Sequence, residues 1–213
     1  MLPYFKGVGP EYIDNDYMLR LNKAILDSFK PKVKNAFFTI CSWAKPYSTG
    51  YIHHGIRRAL YDADLLNKVD YIHISSAGIV PADAELWATL YDWNNGEVQD
   101  DITFTLLRNR IKERLVAFLT KFGKDYDHIF FYIRDTGNTK KAVDSALEDM
   151  PEIKGKCHFV YPTLGDAYSK EQQQKELDYM AAYQIRRDPD DILVCNETLG
   201  FAISKMRRIL SNG

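Results

Sequence analysis

The sequence has 213 residues, 46% of them apolar, with 28 Lys and Arg against 29 Asp and Glu and a formal net charge of −1. That length suits one well-cored domain over residues 1–213, and no apolar run approaches the roughly 20 residues needed to span a bilayer. Balanced charge excludes the broad basic footprint of a non-specific nucleic-acid binder, so a polynucleotide partner requires a focused patch. The clusters available for one are Lys30-Pro31-Lys32-Val33-Lys34, Arg57-Arg58, Lys140-Lys141, Arg186-Arg187 and Lys205-Met206-Arg207-Arg208. Three cysteines at scattered spacing argue against a disulfide framework and for a reducing compartment. Met1-Leu2-Pro3-Tyr4-Phe5 lacks the charged-then-apolar layout of a signal peptide. Cytoplasm is the expected location.

In chain order, Asp14 or Asn15 caps a first helix whose apolar positions Met18, Leu21, Ile25 and Phe29 recur at helical spacing, with Pro31 just past its end. Residues 36–41 read as a buried parallel strand, continuous in apolar and β-favouring types. Ile52, Ile56, Ala59, Leu60 and Ala63 mark a helix over 51–66, and residues 69–75 form a second strand bounded by Ser75-Ser76-Ala77-Gly78. A long loop follows, holding a short helix near 84–88. Asp100 or Asp101 then caps a strong helix with Leu107, Ile111, Leu115, Phe118 and Phe122 on one face. Residues 127–133 are the clearest strand, and Ala142, Val143, Ala146 and Leu147 line the helix after it. A fourth strand covers 157–161, stopped by Pro162. The last third reads as helices over 169–187 and 190–210, with 192–195 an alternative edge strand. Alternating strands and helices predict an α/β three-layer sandwich with a mostly parallel central sheet of four or five strands.

Loops at the carboxyl ends of parallel strands are where open α/β sheets bind ligands. The loop after the first strand concentrates chemistry-bearing types: Cys41-Ser42-Trp43-Ala44-Lys45-Pro46-Tyr47-Ser48, then His53-His54 at the start of a helix. A cationic neighbour such as Lys45 lowers a thiol's pKa, which makes Cys41 a candidate nucleophile; a small buried hydrophobe is the other role open to it. Lys45, its backbone fixed by Pro46, suits a carboxylate, a phosphate or developing negative charge, or an exposed surface position. Trp43 and Tyr47 suit stacking on a planar base, worth roughly 1–3 kcal/mol per base, or serve as lids on the core. Pro46 and Ser48 complete the loop's candidate binding surface.

Glu85 and Asp92, with Tyr91 between them, follow the second strand and in a switch-point crevice face the first loop. A carboxylate there holds an amine or takes its proton. Asp135 follows the third strand, and Asn138 suits a base edge; capping and turn formation are the alternatives for both. His73 and His128 flank strands and read as structural, and Cys157 and Cys195 as core. No Cys-x2-Cys pair or His-x3-His spacing supports a metal site. The chain also lacks Gly-x-Gly-x-x-Gly and Gly-x4-Gly-Lys, so no nucleotide cofactor is expected.

The segment resembles the core domain of the archaeosine synthase family, whose signature is Cys-x3-Lys-Pro-Tyr-x2-Ser-x2-His. Cys41, Lys45, Pro46, Tyr47 and His53 fall on it; Ile40 stands where the family has proline and Gly50 where it has serine. Gly78-Ile79-Val80-Pro81, Glu85 and Tyr91-Asp92 are similar to the domain's Gly-x-Val-Pro-x3-Glu and Tyr-Asp segments, and the resemblance runs from about Phe37 to Met150. It implies a uracil-DNA-glycosylase-like fold; Lys45-Pro46-Tyr47 and Tyr161-Pro162-Thr163 are similar to the glycosylases' Asp-Pro-Tyr and His-Pro-Ser. It also implies a transferase joining an amine donor (an amino acid or polyamine) to a nucleobase. Cys41, Lys45 and His53 then act at the electrophilic carbon, with His53 as acid or base at its ordinary pKa. Glu85 and Asp92 position or deprotonate the amine, and Trp43 and Tyr47 stack on an extruded base. The family's added RNA-binding modules are missing from these residues, which points to tRNA with a partner subunit or to DNA, as in phage-type hypermodification. A glycosylase is a second reading, weakened because Lys45 takes the place of the water-activating aspartate. A base-recognising module without catalysis is a third.

Overall fold

The continuous apolar runs become the centre of a sheet in the computed structural model of the chain, which describes residues 5–7, 9–89, 91–93, 100–163, 171, 174–175, 178 and 189–211. Its strands are β1 (Phe5–Gly7), β2 (Asn35–Ile40), β3 (Asp70–Ser75), β4 (Gly78–Pro81), β5 (Tyr91–Trp93), β6 (His128–Tyr132) and β7 (Cys157–Phe159). The helices are α1 (Asp16–Ser28), α2 (Tyr51–Asp62), α3 (Asp101–Phe122), α4 (Asn138–Glu148), α5 (Pro151–Lys154) and α6 (Asn196–Ser211). Five strands form one mixed sheet in the order β4-β3-β2-β6-β7, parallel except for β4. Helices cover both faces, giving the expected three-layer α/β arrangement. β1 and β5 pair separately as a two-stranded parallel ribbon, Lys6 opposite Asp92.

Alternation along the strands decides what each face does. Phe38 stacks on Phe131 at 5.1 Å and meets Phe118 of α3 edge-on, and Phe131 stacks on Phe159. This face, covered by α1, α3 and α4, is the apolar core, where each buried large side chain contributes roughly 1.5–3 kcal/mol. The opposite face carries Phe37 and Thr39 beside Tyr71 and His73 of β3 and Phe130 and Tyr132 of β6. It lies under α2, the 3-10 segment Pro189–Val194 and α6, and the Tyr132 hydroxyl donates to the Leu193 carbonyl at 2.7 Å. One face is therefore apolar and the other polar-aromatic.

Asn15 is the cap of α1, accepting from the Met18 N–H at 3.0 Å. The loop expected after β3 is instead a tight hairpin into β4, followed by a 3-10 segment, Ala82–Ala88. Ser75 Oγ accepts from the Ala77 and Gly78 N–H groups, and Asn22 of α1 donates to the Ala77 carbonyl at 2.6 Å. Arg114 of α3 bonds the Ser76 carbonyl, at 2.6 Å, and the Ile13 carbonyl, at 2.9 Å. The alternative edge strand over 192–195 is instead 3-10 helix as far as Val194, with Cys195 in the bend after it, and of the expected 169–187 helix the described residues 171, 174, 175 and 178 are helical. No helix among the described residues is long and apolar enough to cross a membrane.

The hairpin fixes a testable constraint at Gly78, which has φ +136° and leaves a Cβ only 1.8 Å from Asn22 Oδ1. Backbone strain of this kind costs on the order of 1–3 kcal/mol, and the clash adds to it. Gly78→Ala is expected to lower unfolding free energy by about 2 kcal/mol or more in a urea titration; an unchanged midpoint would contradict the turn geometry.

Candidate functional site

The chain crosses from β2 to β3 on one side and later adds β6 on β2's other side, so the carboxyl end of β2 borders the switch point of the sheet. The loop leaving it starts at Cys41, whose N–H bonds the Ile74 carbonyl at 3.0 Å. Ser42 Oγ lies within bonding distance of the Ala44 and Tyr47 carbonyls, and Lys45 Nζ donates to the Ser42 carbonyl at 2.8 Å. A cis Lys45–Pro46 peptide leads into the 3-10 turn Tyr47–Thr49, and Gly50 begins α2. A Cβ on Gly50 would stand 2.7 Å from Ser42 Oγ and 3.3 Å from the Ala44 Cβ, so the folded loop leaves little room for a side chain at this position.

Beneath this loop lies a buried polar-aromatic layer. Tyr47, His53 and His73 have no exposed surface. The Tyr47 ring lies 4.6 Å from that of His73, which meets His53 edge-on at the same separation. His53 Nδ1 pairs with the Tyr71 hydroxyl at 3.0 Å, and the Arg57 guanidinium covers the Tyr71 ring. Glu85, from the segment after β4, closes the layer: its carboxylate accepts from Ser48 N–H at 2.9 Å and from Ser48 Oγ at 2.6 Å. The same carboxylate stands 3.8 Å from His73 Nε2. Thr39 Oγ1, His53 Nε2 and both His73 ring nitrogens are buried without a hydrogen bond.

Burial sets the charge state of this layer. It depresses the His53 pKa to about 4, reinforced by the Arg57 cation; the Cys41 carbonyl opposes the shift without being aligned as a hydrogen bond. Burial also holds His73 well below the ordinary imidazole value, and the neighbouring His53 adds to that. The Tyr71 phenol is pushed well above its usual range, again by burial. Both imidazoles are therefore neutral at pH 7.

The open space lies beside the loop rather than under it. A cleft of about 330 Å³ is lined by Ser42, Trp43, Ala44, Thr49, Gly50, Tyr51 and Ile52. Trp43 and Tyr51 are about half exposed there. α2 starts at this cleft without a side-chain cap, leaving its first N–H groups and positive dipole end turned to this end of the sheet.

These positions correct several expectations. Cys41 is half-buried, and none of Cys41, Lys45 and His53 lines the cleft, whose nearest lining residue to Cys41 in the chain is Ser42. His53 is a neutral buried group rather than an acid or base poised near neutrality. Tyr47 is core, stacked on His73 and beneath the Lys45 ammonium at 5.0 Å, so it cannot stack on a base. Pro46 shapes the turn, and Ser48 is held by Glu85. Tyr91 and Asp92 lie on β5 in the separate ribbon, and their side chains are outside the described residues. Asn138 opens α4 and accepts from Arg108 at 2.9 Å, a structural tie in place of a base contact. Asp135 does lie at the carboxyl end of β6. It stands near Tyr161, whose hydroxyl burial pushes up to about 12 with the Asp135 charge adding to the effect.

His73, expected to be structural, packs with Tyr71 in the buried layer, and Tyr51 lines the cleft; the sequence reading does not single out the two tyrosines. The signal for His73 and Tyr71 was present: two residues apart on β3, they share one face beside Thr39. Among the described residues no three His, Cys, Asp or Glu side chains converge as metal ligands. No family model and no curated protein matches the chain. Among solved structures it is similar to the crystal structure of AF0587, a protein of unknown function, at 19% identity and a TM-score of 0.44. The likeness covers 81% of this chain and 51% of that one, so this chain spans about half its length. It carries no functional argument.

The neutral imidazoles predict a pH dependence. The unfolded chain takes up a proton at His53 as pH falls below about 6.5, whereas the folded chain resists until about 4. Stability is therefore full above pH 6.5 and falls as the pH drops toward 4, with His53 alone accounting for on the order of 3 kcal/mol. Urea titrations at pH 7.5, 6 and 5 are expected to show that decline. His53→Gln, whatever its stability at pH 7.5, should show a shallower slope; an equal slope would place the titrating group elsewhere.

Proposed function

We propose that the chain is a nucleobase-modifying transferase that joins an amine to a base held in the Trp43–Tyr51 cleft. One observation carries the reading: an aromatic-flanked cleft at the sheet's switch point follows directly on Cys41 and sits at the uncapped head of α2. Its volume falls at the low end of small-molecule pockets, about 300–1,000 Å³. That suits one planar heterocycle. Trp43 offers a stacking face, and the first N–H groups of α2 suit a carbonyl or partial negative charge on the base.

The resemblance to archaeosine synthase supplies the chemistry. The Cys41 thiol adds to an electrophilic carbon such as a nitrile, its proton passing to the nitrile nitrogen. The amine then attacks the resulting thioimidate, and the thiol leaves with the amine's proton to give an amidine. The step balances without nucleotide hydrolysis or redox cofactor. Lys45 and Glu85 hold the loop that presents Cys41 and Trp43, and the neutral layer below excludes water. Because Tyr47, His53 and Glu85 all serve the loop's structure, a base-recognising module without catalysis is the competing reading.

Nucleoside mass spectrometry after incubation with tRNA or DNA and an amino acid or polyamine tests the choice. Transfer predicts a mass gain on one base, abolished in Cys41→Ser with the thermal midpoint retained, and a KM raised about tenfold in Trp43→Ala. Abasic sites would indicate excision instead. Unchanged nucleosides alongside measurable binding would leave the recognition module.

A further inference from the structure

A second cleft lies at the opposite pole of the sheet. It measures about 620 Å³ and is lined by Val33 and Lys34 before β2, Asn35 at its start, residues between α2 and β3 (Ala63, Leu65, Asn67, Lys68), and Arg207, Leu210 and Ser211 of α6. Three sequence-distant basic positions meet there, and no carboxylate is among the lining residues, although Asp64 at the rim feels both Lys68 and Arg207, which hold its carboxyl below the ordinary value. Two of them, Lys34 and Arg207, come from basic clusters of the sequence. Lys34, Lys68 and Arg207 are all exposed. At the rim Lys68 pairs with Asp64, more than half exposed on both sides, a contact worth little in water. Arg207 uses one nitrogen to bond the Ala63 carbonyl at 2.9 Å, and its planar fork retains further donors.

α2 joins the two clefts. Tyr51 at its head lines the aromatic cleft, and Ala63 just past its tail lines the basic one. Twelve residues of helix at 1.5 Å rise make the span about 18 Å. Along the solvent face Tyr51, His54, Arg58 and Tyr61 recur at helical spacing and all are exposed. Arg58 is paired with exposed Asp62. Basic and aromatic groups interleaved along a ridge suit a single strand, whose phosphates take the cations while bases find π-faces.

We propose that this ridge and the basic cleft form a binding track for a single-stranded nucleic acid, with backbone phosphates seated at Lys34, Lys68 and Arg207. The proposal deepens the transferase reading by naming its substrate as a polymer instead of a free nucleoside. It also locates the focused patch that a chain of net charge −1 needs in order to hold a polyanion.

The test is fluorescence anisotropy of the full chain with fluorescein-labelled 20-mers of deoxythymidine and of uridine, at several salt concentrations. The variant Lys34→Glu, Lys68→Glu, Arg207→Glu is compared with a charge-matched control, Lys23→Glu, Lys121→Glu, Lys141→Glu, on the opposite side of the sheet. Circular dichroism melts check that both fold. The track predicts at least tenfold weaker binding in the first variant and less than threefold in the control. The salt slope falls by about 2 where three phosphate contacts are lost. Tyr61→Ala should cost several-fold at constant salt slope. Whether the deoxy or the ribo 20-mer binds more tightly identifies the polymer. Equal losses in both variants, or no oligonucleotide binding by the parent chain, would overturn the track. Base modification of a free nucleoside that survives the first variant would leave the transferase reading standing by itself.

Discussion

A carboxylate that accepts two bonds from one serine holds the site together. Glu85 is largely buried, and ionised groups tolerate such positions only when their acceptor capacity is met. Ser48 meets it through both N–H and Oγ, and charge-assisted bonds of this kind are roughly twice as strong as neutral ones. The consequence is mechanical. The segment after β4 is tied to the loop after β2, which closes Tyr47 down on His73 and turns Trp43 outward. The cleft wall therefore depends on a residue that does not line the cleft.

The layer under the loop is unusual in leaving polar atoms of Thr39, His53 and His73 buried without hydrogen bonds. Each such group costs about 1–3 kcal/mol, a burden that plain apolar residues would not carry. What the layer provides in return is shape without charge: two neutral rings at right angles, wedged between Tyr47 and Tyr71. Protonating either ring would place a cation against Arg57, which the surroundings resist.

Much of the fold was legible. The β2, β3 and β6 runs were continuous and β-branched or aromatic, and the Asn15 cap preceded a clean helical period. β4 was hidden because four residues that begin with a glycine and end with a proline, Gly78-Ile79-Val80-Pro81, read equally as loop, and only pairing with β3 makes them a strand. The β1–β5 ribbon is three residues a side, too short for any period to register. At the site, Cys41, Trp43 and Glu85 stood out by type and place. Tyr47 and His53 were misplaced for one shared reason. An aromatic in a loop or an imidazole in the first turn of a helix looks the same in sequence whether it faces solvent or the core, and here the loop is held down by Glu85, 37 residues from its partner Ser48.

If the proposed track holds a polynucleotide, the charge arrangement bears on its release. A strongly basic protein binds any polyanion tightly and releases it slowly, because affinity comes from every neutralised phosphate. Here the overall field is close to zero, and the cations that matter are gathered at the tail of α2 while the aromatic cleft sits at its head. Short-range focusing of this kind places the backbone without attracting nucleic acid everywhere on the surface. On the proposed track one helix sets the separation, so a phosphate seated at its tail would determine which nucleotide reaches Trp43. Selection of the base would then be a matter of distance as well as of chemistry.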